Sequence, residues 1–595
     1  MGLFARLRRD WRFFNGLART LARVRTIAAD STNLVCDDLE AAVDRWRSRP
    51  AISFQGATLS YGELDALANR CAHWARAQGL ERGDTVAVFL PNRLEYLPIW
   101  FGLAKVGVTG ALINNQLSGE GLAHCLDISA ATVCLVDDAT AAAFQGARDR
   151  LALPMTAWTL GEARAEHRDL AGALASASDT RPARTERAGM TAKDTALYIY
   201  TSGTTGLPKA ARITHMRAQL FLRGFAGATG ANPTDRVYVA LPLYHATGGL
   251  CAMGAALLNG ASVALRDGFS ATAFWPEVVE EKATLFVYVG ELCRYLATQP
   301  PHALERAHRL RLAFGNGLGR DVWSAMTRRF GIPQVLEFYG STEGNVSMFN
   351  FDGRPGAIGR VPPLIDRIFN AALVRFDIEA EMAVRGPDGL CVRTRPGEVG
   401  ECLGRIAGGV RAAYSGYVDK RASESKVLHD VFRHGDRWFR TGDLMTRDAA
   451  GYFYFVDRVG DTFRWKGENV SSTEVAEHLT GAPGVKEAIV YGVKVGALEG
   501  RAGMAALVVD HDFDLAAFGR HVAASLPPYA QPQFLRLAPH LEITGTFKPR
   551  KVDLVAEGFD PSRIATPLYA RDRDHGYVAL EPALYGRIVA GEVRL

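Results

Sequence analysis

Residues 198–210, YIYTSGTTGLPKA, set the terms on which this chain can fold. The run 195–200 is apolar and rich in β-branched and aromatic side chains, which predicts a buried strand. It passes directly into a loop of hydroxyl residues, glycines and a lysine. Thr201, Ser202, Thr204 and Thr205 offer hydroxyl donors, Gly203 and Gly206 let backbone N–H groups close on an anion, and Lys209 supplies positive charge. That is the chemistry of a phosphate cradle. It is not a Walker A loop, whose glycine is followed at once by Lys-Ser/Thr, because Leu207 and Pro208 separate Gly206 from Lys209. The other reading of such a cluster is a polar turn after a buried strand, so the remaining motifs have to decide.

At 595 residues the chain exceeds what one hydrophobic core organises, and two or more domains are expected. Around the cradle, strands and helices alternate. GDTVAVFLP and ATVCLVDD read as buried strands, with a helix over 94–106 between them. Ser60 with Glu63 three residues on is a capping box that opens an amphipathic helix ending near Gly79. This rhythm predicts a layered, largely parallel sheet. Residues 144–193 are polar and poor in β-branched side chains, and read as a surface connection without chemistry of its own.

Further stretches carry chemistry. In 235–249, DRVYVALPLYHATGG, a strand ends in Leu-Pro-Leu-Tyr-His before a helix of small residues, so His245 is either structural or placed at a ligand. In 312–318, LAFGNGL, the glycines allow backbone to approach a flat ligand. In 337–345, EFYGSTEGN, an aromatic beside a glycine, then Ser/Thr and Glu, offers a stacking surface, a phosphate donor and a magnesium ligand. Mg²⁺ takes few protein carboxylates and uses phosphate oxygens for the rest. Read alone, the same string is a helix N-cap with a carboxylate in its first turn. In 440–458, RTGDLMTRDAAGYFYFVDR, Asp443 follows a Thr-Gly turn that can aim its carboxylate outward, and 451–456 alternates as a hairpin strand.

In this order TSGTTGLPK, YGSTEG and RTGDL resemble the adenylate-forming superfamily of acyl-CoA synthetases, luciferases and peptide-synthetase adenylation domains. GDTFRWKGENVS, together with FVYVGELCRYLATQP, ITGTFKPRKVDLV and TPLYARDRDHGYV, resembles the subfamily called fatty acid transport proteins or very-long-chain acyl-CoA synthetases. The likeness runs from about residue 50 to the C-terminus.

The resemblance implies an α/β fold: a large multi-layered N-terminal domain with mixed sheets and a small mobile α+β C-terminal domain. The implied division is 1–30, 31–458 and 459–595. It implies an AMP-forming, ATP-dependent ligase joining long or very long fatty acids to coenzyme A through an acyl-adenylate, with Mg²⁺. Thr201, Ser202, Gly203, Thr204, Thr205, Gly206 and Lys209 would hold the phosphates, and Gly315, Asn316 and Gly317 would wall the adenine pocket. Tyr339 would stack on adenine with Gly340 and Ser341 beside it, Thr342 would contact the α-phosphate, and Glu343 would hold the metal. Asp443 would take the ribose hydroxyls, Arg458 the ribose and phosphate, and His245 the substrate carboxylate. Lys548 would touch carboxylate and α-phosphate during adenylation, with Lys551 a near competitor. Gly460 would be the hinge, and Arg464, Lys466 and Gly467 would serve the coenzyme A step.

The net charge of +5 lies wholly in residues 1–30, where seven arginines face Asp10 and Asp30. The rest is formally neutral, which argues against nucleic acid as a partner. Within the first 25 residues Phe4, Leu7, Trp11, Phe14, Ala18 and Leu21 recur at steps of three or four, with arginines over most of the other face. The pattern is a basic amphipathic helix, either lying in a membrane surface through residues 1–28 or folded back on its own domain. No apolar run reaches the roughly 18–20 residues that a spanning helix needs. The eight cysteines show no CxxC pair, which fits a reducing, cytoplasmic setting, on the inner face of the membrane if the helix anchors there. Rival readings are a ligase loading a carrier protein or using a bile-acid-like or carnitine-like carboxylate, and a membrane-surface fatty-acid uptake protein with ligation secondary.

Overall fold

The computed structural model describes residues 3–162, 165–201, 207–409, 412–466, 468–496, 498, 500–542, 551–572, 575–593 and 595. The chain forms two compact units, Met1–Arg360 with Arg405–Val427, and Val361–Gly404 with Leu428–Leu595. The expected limit at 458 falls inside the second of them.

In the first unit helix α1 (Leu3–Val24) precedes β1 (Pro50–Phe54), β2 (Ala57–Ser60), α2 (Tyr61–Ala77), β3 (Thr85–Val88), β4 (Thr109–Leu112) and β5 (Val133–Val136). There follow β6 (Thr156–Thr159), β7 (Arg168–Asp169), β8 (Thr195–Thr201), β9 (Lys209–Thr214) and α3 (His215–Thr229). The unit continues through β10 (Arg236–Val239), β11 (Ser262–Leu265), β12 (Leu285–Val289), β13 (Leu312–Asn316), β14 (Val335–Gly340) and β15 (Ser347–Asn350), with short helices between. These strands make a seven-stranded sheet in the order β7-β6-β5-β3-β4-β8-β9 and an eight-stranded sheet in the order β15-β14-β13-β12-β10-β11-β1-β2. Pairing is parallel inside each sheet and antiparallel at β8/β9, β14/β15 and β1/β2. Every residue of β3, β4 and β5 is buried, the expected consequence of a parallel sheet covered on both faces. The α2 cap forms as its sequence predicts, with Glu63 N donating to Ser60 Oγ at 3.2 Å and Ser60 N to Glu63 Oε2 at 2.7 Å.

The region 144–193 is more than a surface connection. β6 and β7 extend the sheet, and Trp158, Leu170 and Leu174 are buried beneath it. Four residues of β6 are too few to raise a periodic signal.

Of the two readings its sequence left open, helix α1 takes the second: it is folded back on its own domain. Phe13, Gly16, Thr20 and Val24 are buried. A Cβ on Gly227 of α3 would stand 2.7 Å from Thr20 Cα, so glycine is what lets the two helices meet backbone to backbone. Arg23 donates to Asn259 Oδ1 at 2.7 Å, and Arg360 bridges Asp10 (2.8 Å) and Asp352 (3.0 Å). The other side, Leu7, Trp11 and Phe14, is 58, 66 and 42 % exposed.

In the second unit the chain runs through β16 (Ala371–Asp377), β17 (Arg437–Arg447), β18 (Tyr452–Arg458), α4 (Ser472–Thr480), β19 (Val485–Val493), β20 (Ala502–Val509), β21 (Phe534–Leu537), β22 (Leu568–Asp572) and β23 (Gly576–Ala579). The last five strands form one sheet in chain order, over a core that includes Phe534 stacked on Phe559 at 4.1 Å. No helix among the described residues is long and apolar enough to cross a membrane.

Candidate functional site

The cradle motif straddles a hairpin. β8 and β9 pair antiparallel with Thr201 opposite Lys209, so both stand at its mouth. Ser202, Gly203, Thr204, Thr205 and Gly206 lie outside the described residues. Residues 416–418 add to the open edge of β9: Val418 N donates to Ala210 O at 3.0 Å, and Arg212 N to Gly416 O at 3.1 Å. That pairing brings Tyr417 beside Lys209, whose Nζ lies 5.9 Å from the ring centroid.

The turn after β14 comes to the same place. The Tyr417 hydroxyl donates to Glu343 Oε1 at 2.9 Å. Beneath the turn, Arg217 of α3 donates to the carbonyls of Ser341 (2.8 Å) and Thr342 (3.3 Å). Burial pulls this guanidinium down to about 10, while the Glu343 charge pulls the other way. Gly344 N donates to Ser341 Oγ at 3.0 Å, and Asn345 Nδ2 to the carbonyls of Arg405 (2.9 Å) and Ala412 (3.1 Å). The motif is therefore a supported turn with Thr342 and Glu343 half-buried at its edge, not a helix N-cap.

The glycine pair is held by a carboxylate. Glu337 is 1 % exposed and accepts from Tyr288 Oη at 2.6 Å, from Leu318 N at 3.0 Å and from Gly317 N. Burial pushes it up to about 7 despite these donors. Side chains at Gly315 and Gly290 are excluded by contact, since their Cβ atoms would meet Tyr288 O at 2.1 Å and Gly317 O at 1.7 Å. Tyr339 lies two residues along β14 from Glu337 and so on the same face of the strand. Asn316, Tyr339 and Gly340 are at least partly exposed.

His245 ends the segment after β10. Asn92, buried, donates to Leu241 O (3.1 Å) and accepts from Leu243 N (2.9 Å), fixing the approach. The His245 carbonyl receives Gly249 N at 2.7 Å, and a widened π-type turn, Thr247–Ala252, begins there.

In the second unit Asp443 and Arg458 are register partners across β17/β18, with Arg458 Nε 3.8 Å from Asp443 Oδ1. The Asp443 turn is pinned by Thr441, whose hydroxyl accepts from Asp443 N (3.1 Å) and donates to Cys402 O (2.7 Å). Gly460 has φ +91° with open space around it. Asp457, 1 % exposed, caps α4 by accepting from Ser472 N (2.6 Å) and Ser472 Oγ (2.9 Å), so both sides of that glycine are anchored. Arg464 pairs with Glu379 at 2.9 Å, and Lys466, at φ +52°, donates to Leu595 O at 2.7 Å. Gly467 and Lys548 lie outside the described residues. Lys551 is committed to this unit, donating to Ser472 Oγ (2.6 Å) and Asp461 Oδ2 (3.2 Å).

Tyr417, Arg217, Glu337, Asn92 and Asp457 are additions that sequence reasoning passed over. Glu337 and Asp457 stand inside strings already singled out, but their partners are set by pairing across strands.

The class is that of a nucleotide-binding α/β protein. The chain belongs to the AMP-binding enzyme family, whose main domain matches residues 39–405 and whose C-terminal domain matches residues 474–548. Human long-chain fatty acid transport protein 3 is 43% identical over 523 residues, covering 87% of this chain and 76% of the human protein. Mouse long-chain fatty acid transport protein 6 is 40% identical over 552 residues, covering 91% and 88%. ATP-bound MatB from Rhodopseudomonas palustris shares the fold with TM-score 0.72 at 23% identity, over 88% of this chain and 98% of that one.

Proposed function

We propose that the protein is an AMP-forming fatty acid–CoA ligase for long or very long chains, working through an acyl-adenylate. The observation that carries this reading is the meeting of Lys209 and Glu343 around Tyr417, with Thr201 opposite Lys209, in a member of the AMP-binding enzyme family. The relatives' names supply the fatty-acid substrate class.

A carboxylate resists thiol attack because its departing oxygen is too basic. Adenylation removes the obstacle: the carboxylate oxygen attacks the α-phosphorus of ATP, pyrophosphate leaves, and AMP becomes the later leaving group. Lys209 and the loop hydroxyls hold the phosphates in line, Thr342 contacts the α-phosphate, and His245 orients the incoming carboxylate. Glu337 fixes the 315–318 wall against which Tyr339 stacks the adenine. Asp443 and Arg458 take the ribose. The donor set suits Mg²⁺: Glu343 keeps one carboxylate oxygen clear of the Tyr417 bond beside the Thr342 hydroxyl, and one carboxylate supplemented by phosphate oxygens is how this ion is held. Bound there by Glu343, it would neutralise phosphate charge. Residues 459–595 turn about Gly460 between half-reactions, exchanging Lys548 for Arg464, Lys466 and Gly467 as coenzyme A arrives.

Pyrophosphate exchange measured across saturated carboxylates of increasing length tests the reading. Exchange should rise with chain length, and adding coenzyme A should yield fatty acyl-CoA and AMP. Exchange confined to short or aromatic carboxylates, or transfer only to a carrier protein, would overturn it.

The exposed Leu7, Trp11 and Phe14, with Arg8 and Arg12 exposed beside them, support peripheral contact with an anionic membrane. Because the opposite side of α1 is packed, deleting the segment would uncover core. The triple variant Leu7→Gln, Trp11→Gln, Phe14→Gln is the cleaner probe. It should lower partition onto phosphatidylserine vesicles by about 10-fold or more, with ligase activity in detergent unchanged. Equal vesicle binding would refute the anchor.

A further inference from the structure

We propose that Tyr417 is a positioning residue for Mg²⁺·ATP: its hydroxyl holds one oxygen of Glu343 while its ring receives Lys209, keeping carboxylate and ammonium close to each other but unpaired. The proposal rests on the ligase reading above. A lysine and a glutamate facing one small site ordinarily collapse into an ion pair, and each is then lost to the ligand. Here neither Lys209 nor Glu343 forms a salt bridge among the described residues. The phenol offers each a different surface. Its O–H donates to Glu343 Oε1 at 2.9 Å, leaving Oε2 for a cation, and its ring stands 5.9 Å from Lys209 Nζ.

The tyrosine itself has little freedom. The residue is 6 % exposed, its backbone N–H donates to Ser423 Oγ at 2.9 Å, and that hydroxyl donates back to its carbonyl at 3.3 Å. Strand pairing with β9 fixes the segment on the other side. Thr201 stands opposite Lys209 at the mouth of the cradle hairpin, so Tyr417 links that mouth, through Lys209, to the Glu343 turn.

Tyr417→Phe in the full chain tests this, because phenylalanine keeps the ring and removes only the donor. Calorimetry of ATP binding with and without Mg²⁺, and electron paramagnetic resonance of Mn²⁺ with ATP, read the metal directly. The variant should bind metal-free ATP within about 2-fold of wild type, while the metal-dependent gain in affinity falls about 10-fold. Half-saturating Mg²⁺ for pyrophosphate exchange should rise by a similar factor. In a Glu343→Gln background the same change should do nothing further to metal-dependent binding, which guards against a general loss of folding. Unaltered metal dependence in Tyr417→Phe, or full additivity in the double variant, overturns the proposal. If wild type binds Mg²⁺·ATP but shows no fatty-acid-driven exchange, the ligase reading fails and the Tyr417 comparison is still decided by calorimetry. If wild type shows no Mg²⁺-dependent ATP binding, both fail.

Discussion

Glu343→Gln is expected to lower fatty-acid-driven pyrophosphate exchange by about 100- to 1,000-fold, the range seen when a single charge-stabilising group is removed from a preorganised site. Glutamine keeps the shape, and its amide oxygen can still accept from the Tyr417 hydroxyl that now reaches Oε1 at 2.9 Å. What disappears is the negative charge, which the metal needs and the amide cannot replace. The loss should concentrate in the adenylation step, and conversion of supplied acyl-adenylate with coenzyme A should stay within about 3-fold of wild type, because pyrophosphate has already departed. A stability effect comes with it. Arg217 is half-buried under the turn with Glu343 as a nearby opposite charge, so neutralising the glutamate should cost about 1 kcal/mol in unfolding free energy. Unfolding measured beside the two half-reactions separates the effects. Exchange that survives intact would remove Glu343 from the metal site.

Much of this arrangement was readable in the chain because it is local. The strand before the cradle, the buried strands β3 and β5, and the capping box at Ser60 each draw their partners from a few neighbouring residues or from a sheet that buries both faces. The 198–210 and 337–345 motifs put forward Thr201, Lys209 and Glu343, and the first unit sets Thr201 opposite Lys209 and brings Lys209 and Glu343 to one tyrosine. What joins them was not readable. Tyr417 is 74 residues from Glu343, and Arg217 is 124 from Ser341, so both depend on which edge strand and which helix the fold brings alongside. Glu337 lay in plain view, but its task follows from β13 pairing with β14, which places Gly315 opposite it. Helix α1 shows the limit of periodicity. The apolar stripe through Leu7, Trp11 and Phe14 was found, yet the packed face uses Gly16 and Thr20, whose value is that they are small. A hydrophobic pattern does not register smallness.

Lys548→Ala is expected to separate the two half-reactions. Two lysines compete for the role in ITGTFKPRK. Lys551 is already occupied, reaching Ser472 Oγ at 2.6 Å and Asp461 Oδ2 at 3.2 Å, and so holds the start of α4 close to the Gly460 turn. A side chain bound inside its own unit is poorly placed to enter and leave a site with each turnover. Lys548, three residues earlier, is the lysine we propose for the role. An ammonium brought to the carboxylate and α-phosphate stabilises charge only as it develops, so its removal should lower exchange by about 100-fold or more. The thioester step, in which this lysine is withdrawn, should change by less than about 3-fold. Lys551→Ala gives the opposing pattern: a lower unfolding midpoint, with both half-reactions reduced alike and modestly, since the change loosens α4 without removing a group from the reacting atoms. Equal collapse of both half-reactions in Lys548→Ala would place its role in folding. A half-reaction split in Lys551→Ala instead would transfer the catalytic assignment to that residue.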